Sequence, residues 1–474
     1  MNWQPNRASS ISISKQIVQW MTDQIQQGEW TIGTKLPPQR KLALLLGVNR
    51  STLQEAIDEL KADGLLASRA GAATYVANDS WHVLMKQKEP DWQQYIESSI
   101  HKANYQTIQL INEFEQKESI IRLGTGELSP SLLPADGIQE SLQHLALDGK
   151  MIGYSSPQGS FSLRQAICHY VKKRGIDTSP ENICIVSGGL QALQLIALGL
   201  LKPGSVVFQH QFSYLNSLHL FQSFGVNLSN IPENTEPEEL IKQISRKKQS
   251  ILYTVPTLHN PTGATMTFEE KERLYHACET AQIPLIEDDV YADLVFGKTT
   301  PAMKSMDKSG QIIYIGSVSK TVSPGLRIGW VIASTPVIQR LADIKMQIDY
   351  GSSAISQRIV DYWLRSGMYE KHIEQLKHEL KSRAALMEEL LKMYFWHTAT
   401  WAPSQGGFYS WLKFNKPIVT TELFMKLLKK NVLINPGYIY WPNDAYHIRL
   451  SFSYCSEADL RKGLNILAGE VNGL

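Results

Sequence analysis

The chain has 474 residues, 43% of them hydrophobic, with 47 Lys and Arg against 45 Asp and Glu. That length excludes one ordinary domain and fits two or three, with apolar residues enough for large packed cores. A net charge of +2 leaves the partners open, because a basic patch on one domain is hidden by the balance of the rest.

The four cysteines, Cys168, Cys184, Cys278 and Cys455, are scattered. None forms a Cys-x-x-Cys pair or a His/Cys cluster at metal-ligand spacing, so the expectation is reduced thiols in a cytoplasm and no metal. No basic-then-apolar leader and no bilayer-length apolar run occur, so neither export nor a membrane partner is expected. The chain carries no internal repeat.

From Ile11 to Gly28 the residues Ile13, Ile17, Met21 and Ile25 recur every four positions, which predicts an amphipathic helix ended by Gly28. Pro37 and Pro38 forbid a helix until they are passed. A short helix is predicted from Arg40 to Leu46, stopped by Gly47. A third follows, with Asn49 as its expected cap, Val48 as a staple onto Leu53, and Leu53, Ile57 and Leu60 as its buried stripe. Two helices around a glycine turn, the second with Arg50, Ser51, Thr52 and Gln54 near its free start, describe a helix-turn-helix. Leu65 to Val76 reads as a hairpin that would be a wing. The pattern alone is equally that of a three-helix packing module. Residues 1–78 hold eight Lys/Arg against six Asp/Glu, but Arg40, Lys41, Arg50 and Arg69 fall where such a unit would face phosphates.

The run from Lys15 to Asn78, with "LPPQRKLALLLGVNRSTLQEAIDEL" at its centre, resembles the winged helix-turn-helix of GntR-type bacterial regulators. The resemblance implies double-stranded DNA as partner and Arg40 and Arg50 as contacting arginines. Pro38 stands where serine is usual, and Ala72-Ala73 replaces a glycine-rich wing tip. The expected DNA-binding unit is residues 11–78. Residues 79–118 are polar and glutamine-rich and read as a linker with some helix, either a joint between moving domains or a plain spacer.

From about residue 119 onward helices alternate with β runs at Ile183–Val186, Val206–Phe208, Ile251–Val255, Pro284–Glu287 and Ile312–Ile315. This predicts an α/β domain with a mostly parallel sheet and ligands at the carboxyl ends of its strands. After the first run, Ser187-Gly188-Gly189 opens a helix, where backbone N–H groups and the helix dipole suit an anion. Tyr214 follows the second run and could stack on a planar ring. Asn260, in His259-Asn260-Pro261-Thr262-Gly263, has an amide free to donate. Glu287-Asp288-Asp289 ends a buried strand, where a carboxylate needs a positive partner such as a protonated pyridine. Tyr291 lies three residues on. Last comes Ser317-Val318-Ser319-Lys320, with Arg327 seven positions later. A lysine amine in a partly desolvated pocket can attack an aldehyde, and an arginine can hold a phosphate as a planar fork.

The series "YSSPQGSFSLRQAI", "SGGLQAL", "PTLHNPTG", "EDDVY", "SVSKTVSPGLRIGW" and "HIRLSFS" resembles the fold-type I pyridoxal-phosphate enzymes of the aspartate aminotransferase group. The resemblance covers residues 119–474, a large part to about 350 and a smaller C-terminal α/β part from about 351. It implies pyridoxal 5'-phosphate as cofactor. Lys320 would form a Schiff base and shuttle protons, Asp288 would keep the pyridine nitrogen protonated, and Asn260 and Tyr291 would bond the ring's 3-oxygen. Tyr214 would stack on the ring, and Gly188, Gly189, Ser317 and Arg327 would hold the phosphate. Tyr154 would reach the phosphate of a neighbouring subunit, and Arg449 would grip an α-carboxylate. Gly189 replaces a usual Ser or Thr, and His210-Gln211-Phe212 replaces Glu-x-Pro before the aromatic residue.

The fusion resembles the MocR subgroup of GntR regulators. It implies a cytoplasmic, homodimeric transcription factor that reads the cofactor, or a small amino compound reacting with it. The alternative is a working aminotransferase with an accessory DNA-binding arm.

Overall fold

In the computed structural model, residues 3–26, 29–68, 73–77, 92–99, 104–145, 153–232, 235–245 and 249–471 are described. The chain divides into two compact units, Met1–Ser99 and Ile100–Leu474.

The first unit has helices Ile13–Gln26, Gln39–Leu45 and Arg50–Ala62, followed by a hairpin of β1 (Leu66–Ser68) and β2 (Thr74–Val76). Leu66 pairs with Val76 and Ser68 with Thr74 in antiparallel register. The four-residue apolar repeat builds the core: Ile17, Met21 and Ile25 meet Leu42, Leu53, Ile57, Leu60 and Val76. Trp3 stacks on Trp20 at 5.0 Å, and Trp30 meets Trp20 edge-on at 5.4 Å. Between the second and third helices Gly47 has φ +64°, a left-handed turn that a side chain would strain. The expected cap at Asn49 needs correction. Asn49 sits at the N-cap in extended conformation, yet its side chain makes no capping hydrogen bond. Asn49, Arg50 and Ser51 are all exposed, so water can serve the amides of that first turn. Gly28, Arg69 and Ala72 lie outside the described residues.

The second unit is built on a seven-stranded sheet. Its strands are β4 (Ile183–Val186), β5 (Val206–His210), β6 (Asn227–Ile231), β7 (Ser250–Thr254), β8 (Leu285–Asp288), β9 (Ile312–Ser317) and β10 (Gly329–Ile332), after a short β3 (Ile121–Arg122). They lie in the order β4-β10-β9-β8-β7-β5-β6. All run parallel except β10, which is antiparallel to both its neighbours. Apart from the edge strand β6, the strands are short and largely apolar because helices cover both faces. Two apolar clusters meet on them: Val186, Ile286, Ile315 and Val331 pack with the helix Gly189–Leu200, and Ile185, Tyr314, Trp330 and Ile332 with the helix Phe161–Val171. β6 and β10 were not read from the sequence, because Asn227–Ile231 is polar and β10 is only four residues long at the end of the Lys320-to-Arg327 loop.

The C-terminal part carries a four-stranded antiparallel sheet in the order β11 (Ala399–Thr400), β12 (Tyr409–Phe414), β15 (His447–Ser451), β14 (Asn435–Pro436). The sequence boundary at residue 118 differs from the structure here. The helix Gln106–Phe114, placed in the linker by its polar composition, buries Ile108 and Ile111 in the C-terminal core. β3 then pairs in parallel with β13 (Val432–Leu433). Four apolar side chains in nine residues, Ile108, Leu110, Ile111 and Phe114, sufficed, a stripe too short to stand out among the glutamines. All four cysteines are free thiols. Among the described residues no helix is long and apolar enough to cross a membrane.

Candidate functional site

The strand order brings the punctuation after β4, β5, β7, β8 and β9 to one edge of the sheet, where it lines a cavity of about 380 Å³. This is the size of a small-molecule site, for which roughly 300–1,000 Å³ is usual. Of the residues singled out in the sequence, Gly189, Tyr214, Asn260, Asp288, Tyr291, Ser317, Lys320, Arg327 and Arg449 line it together.

β8 ends in Glu287 and Asp288 with Asp289 directly after, and the alternation of an extended chain points the middle one away from its two neighbours. Glu287 accepts from the amides of Met303 and Lys304 at 2.7 and 2.8 Å. Asp289 pairs with Arg174 at 2.7 Å, a buried pair in which Tyr314 also donates to the carboxylate at 3.2 Å. Breaking such a pair from one side costs about 3–5 kcal/mol, so this link firmly anchors the end of β8. Asp288 lies between them and faces the cavity. Its Oδ2 accepts from Tyr253 at 2.8 Å, while its Oδ1 is buried without a hydrogen-bond partner. Burial pushes the Asp288 carboxyl up to about 6, against the opposing pull of Tyr253 and the Val290 amide.

This shift has a sign that can be measured in cofactor-free protein. The folded-state value lies above the unfolded value of about 3.9, so the group's stabilisation is full below about pH 4 and lost as pH rises through about 6. Asp288→Asn removes the loss. The variant should gain thermal stability relative to wild type between about pH 4 and pH 8; a wild-type-minus-variant difference independent of pH would contradict this.

Lys320 follows β9, is half-buried, and donates from Nζ to the carbonyl of Gly126 at 2.7 Å. β9 and β10 approach closely at Gly316, where a Cβ would lie 2.4 Å from the Trp330 ring. The Ser317 hydroxyl donates to the Ile328 carbonyl at 3.0 Å and accepts from the Ser319 amide at 3.1 Å, which closes the turn before Lys320. Ser319, not singled out in the sequence, lines the cavity with a buried hydroxyl that has no partner.

The glycine turn after β4 has Gly188 at φ +86°, and a Cβ there would sit 2.8 Å from Arg327 Nη2. Arg327, itself left-handed at φ 53°, donates from Nη2 to the Ser187 carbonyl at 2.7 Å. An exposed guanidinium, the first amides of the helix Gly189–Leu200 and the helix dipole thus converge on one spot suited to an anion.

Arg449, on β15, is buried. Nη1 donates to Asn260 Oδ1 at 2.8 Å and Nη2 to the Gly124 carbonyl at 2.7 Å, while Nε has no partner. Its guanidinium packs over the Tyr409 ring at 4.1 Å and the Tyr440 ring at 5.2 Å. Tyr291 and Tyr409 share a hydroxyl contact at 3.0 Å, and burial holds the Tyr291 phenol well above its ordinary value. Burial likewise pushes Tyr214 up to about 12. Tyr253, Tyr409 and Tyr440 were missed in the sequence. Their alternation within or beside strands reads as ordinary core, so only the fold separates them from it.

Tyr154 is not among the residues lining this cavity. It is 86% exposed and meets Tyr350 at 5.5 Å. In the first unit Arg40, Arg50 and Ser51 are exposed and Thr52 and Gln54 half-buried, with the Gln54 amide donating to Asp58 at 2.8 Å. Arg69 lies outside the described residues.

The chain matches the family of aminotransferases class I and II over residues 118–467 and the gntR family of bacterial regulatory proteins over 13–76. It is 47% identical over 470 residues to the HTH-type transcriptional regulator YisV of Bacillus subtilis, covering 98% of this chain and 97% of that one. It is 36% identical over 437 residues to the HTH-type transcriptional regulator NorG of Staphylococcus aureus, covering 91% and 98%. A crystal structure of Pyrococcus horikoshii kynurenine aminotransferase in complex with PMP superposes with a TM-score of 0.74 at 26% identity, covering 82% of this chain and 98% of that one. The chain therefore belongs to the MocR-type GntR transcriptional regulators, in which a helix-turn-helix domain is fused to a fold-type I aminotransferase domain.

Proposed function

We propose that this regulator binds pyridoxal phosphate in the cavity at the carboxyl ends of its sheet, and reads the cofactor together with a small amino compound as its signal. The observation that carries the reading is the unsatisfied Oδ1 of Asp288, a buried acceptor without a donor, in one cavity with Lys320. A buried acceptor left unpaired costs about 1–3 kcal/mol, and a protonated pyridine nitrogen is the donor that would satisfy it.

Pyridoxal phosphate supplies an aldehyde that a lysine can capture and a ring that draws off electrons. Lys320 offers the amine and can carry a proton. Asp288 holds a proton at the ring nitrogen, with Tyr253 fixing the carboxylate's orientation. The Asn260 amide and the Tyr291 hydroxyl face the ring's 3-oxygen, and Tyr214 stacks on its face. Gly188, Gly189, Ser317 and Arg327 hold the phosphate. Because the Ser317 hydroxyl already donates to Ile328, the unpartnered Ser319 hydroxyl joins them in this reading. Arg449 holds the α-carboxylate of an amino acid. In a homodimer joined through this domain, the exposed Tyr154 reaches the partner's phosphate site.

In the first unit the third helix enters the major groove of an operator, with Arg50, Ser51, Thr52 and Gln54 at its leading end and Arg40 on the second helix beside the backbone. Arg69 belongs to the wing of the same unit. Residues 11–78 then act as the DNA-binding domain, and residues 119–474, with the helix Gln106–Phe114 packed on their core, are the sensor, all in a cytoplasmic protein. An amino compound bound beside Lys320 would shift DNA binding only if it has different affinities for two arrangements of the domains.

Footprinting on the DNA upstream of its own gene, with and without pyridoxal phosphate and a panel of amino acids, tests this reading. A protected region whose extent or midpoint changes with ligand is expected. Rapid multiple turnover between an amino acid and a keto acid, with no change in the footprint, would favour a working aminotransferase instead.

A further inference from the structure

The three consecutive residues Gly124, Thr125 and Gly126 tie three functional side chains together. The Gly124 carbonyl accepts from Arg449, the Gly126 carbonyl accepts from Lys320, and the Thr125 hydroxyl donates to Glu115 Oε1 at 2.7 Å. Glu115 is the residue just past the helix Gln106–Phe114, the same helix that packs Ile108 and Ile111 against the C-terminal core. It lines the cavity and is half-buried. Among the described residues its second oxygen, Oε2, has no hydrogen-bond partner.

The charges of the cavity wall can be assigned one by one. Its cationic side chains among the described residues are Lys320, Arg327 and Arg449. In the reading proposed above these meet the aldehyde, the phosphate and an α-carboxylate, and Asp288 meets the ring nitrogen. What remains unassigned is Glu115 and Glu127, with the carboxamides of Asn104 and Asn112 beside them. Against the effect of burial, Glu115 helps to hold the Arg449 guanidinium charged. Once Arg449 meets an α-carboxylate, no described lining cation is left for Glu115 and the exposed Glu127, so the part of the cavity beyond the α-carboxylate site is anionic. Ile108 and Ile111 line the same part and offer an apolar path for a methylene stem.

We infer that the effector is an amino acid whose side chain ends in a cation, and that Glu115, supported by Glu127, is the residue that selects it. This inference rests on the proposed reading of the cavity. An acidic side chain in that region would face the half-buried Glu115 and the exposed Glu127, and like-charge juxtaposition is unfavourable. A neutral side chain of equal length would bury its stem but offer Glu115 Oε2 no cation in place of water.

The test is equilibrium titration of the full-length, cofactor-loaded protein with L-lysine, L-norleucine and L-glutamate, followed by the visible absorbance of the cofactor. Norleucine shares the four-carbon stem of lysine and lacks its ammonium. The expected order is lysine about tenfold tighter than norleucine, with glutamate weakest. Glu115→Gln keeps an acceptor for Thr125 and should bring the lysine-to-norleucine affinity ratio close to one. Norleucine binding as tightly as lysine to the wild type, or the full lysine advantage surviving in Glu115→Gln, would overturn the inference and leave the sensor reading intact. If no amino acid perturbs the absorbance, the amino-compound part of the proposed function fails and this inference falls with it.

Discussion

Lys320→Ala should abolish the visible absorbance that the full-length protein acquires with pyridoxal phosphate, and the cofactor should then be lost on dialysis. The expectation follows from the cavity's composition: Lys320 is the one lysine among its described lining residues. Its side chain contributes little else to the fold. It is half-buried and its Nζ makes a single hydrogen bond, to Gly126, worth about 1 kcal/mol. The variant should therefore remain folded and retain the DNA affinity of cofactor-free wild type. Asp288, Tyr214 and the glycine turn would still attract the cofactor without a covalent bond, so residual weak binding that washes out is compatible with the account. An absorbance unchanged in the variant would end the assignment of Lys320.

Arg50→Ala should weaken operator binding by about 1–3 kcal/mol, roughly 5- to 150-fold, if its guanidinium reads a base edge. Arg50 opens the third helix and is exposed, and the turn before it is set by Gly47. The core beneath it, Leu53, Ala56, Ile57 and Leu60, does not involve the Arg50 side chain, so folding should be unaffected. If Arg50 instead contacts phosphate, the loss should be uniform across sequences, and the slope of log affinity against log salt should fall by about one. Competition gel shifts with operator and random DNA at two or more salt concentrations distinguish these outcomes. Full retention of binding in the variant would mean that the reading helix is misplaced.

The two predictions draw on parts of the chain that were unequally legible. The first unit's helices could be read from Ile17, Met21, Ile25, Leu53, Ile57 and Leu60, because a surface helix must bury one stripe every three to four residues. The cap at Asn49 could not, since capping depends on a rotamer that composition does not fix. In the second unit, residues just after strands were legible because a parallel sheet gathers such positions at one edge. Asp288 could be named from Glu287-Asp288-Asp289, but what separates the three carboxylates is tertiary: the Met303 and Lys304 amides, Tyr253 and Arg174 come from elsewhere in the chain. Tyr409 and Glu115 carried no local signal. Tyr409 lies on a strand of alternating residues and Glu115 ends a polar stretch. Each joins the cavity only because β12 and the helix Gln106–Phe114 pack against the C-terminal core.

The long segment between the family matches, residues 77–117, shows the same asymmetry. Its polar composition suggested a linker throughout, yet Thr107 bonds Tyr438 at 3.3 Å and Glu115 bonds Thr125, so its last turns belong with the sensor.

The most direct measurement is the operator affinity of the same full-length protein, cofactor-free and loaded with pyridoxal phosphate, by fluorescence anisotropy at fixed salt. Coupling between two sites typically amounts to about 1–3 kcal/mol, so the two dissociation constants should differ at least about fivefold. Linkage requires that operator DNA change the affinity for the cofactor by the same factor, and Lys320→Ala should reduce the difference. Equal operator affinities for the loaded and cofactor-free protein, with loading verified by absorbance, would contradict the account.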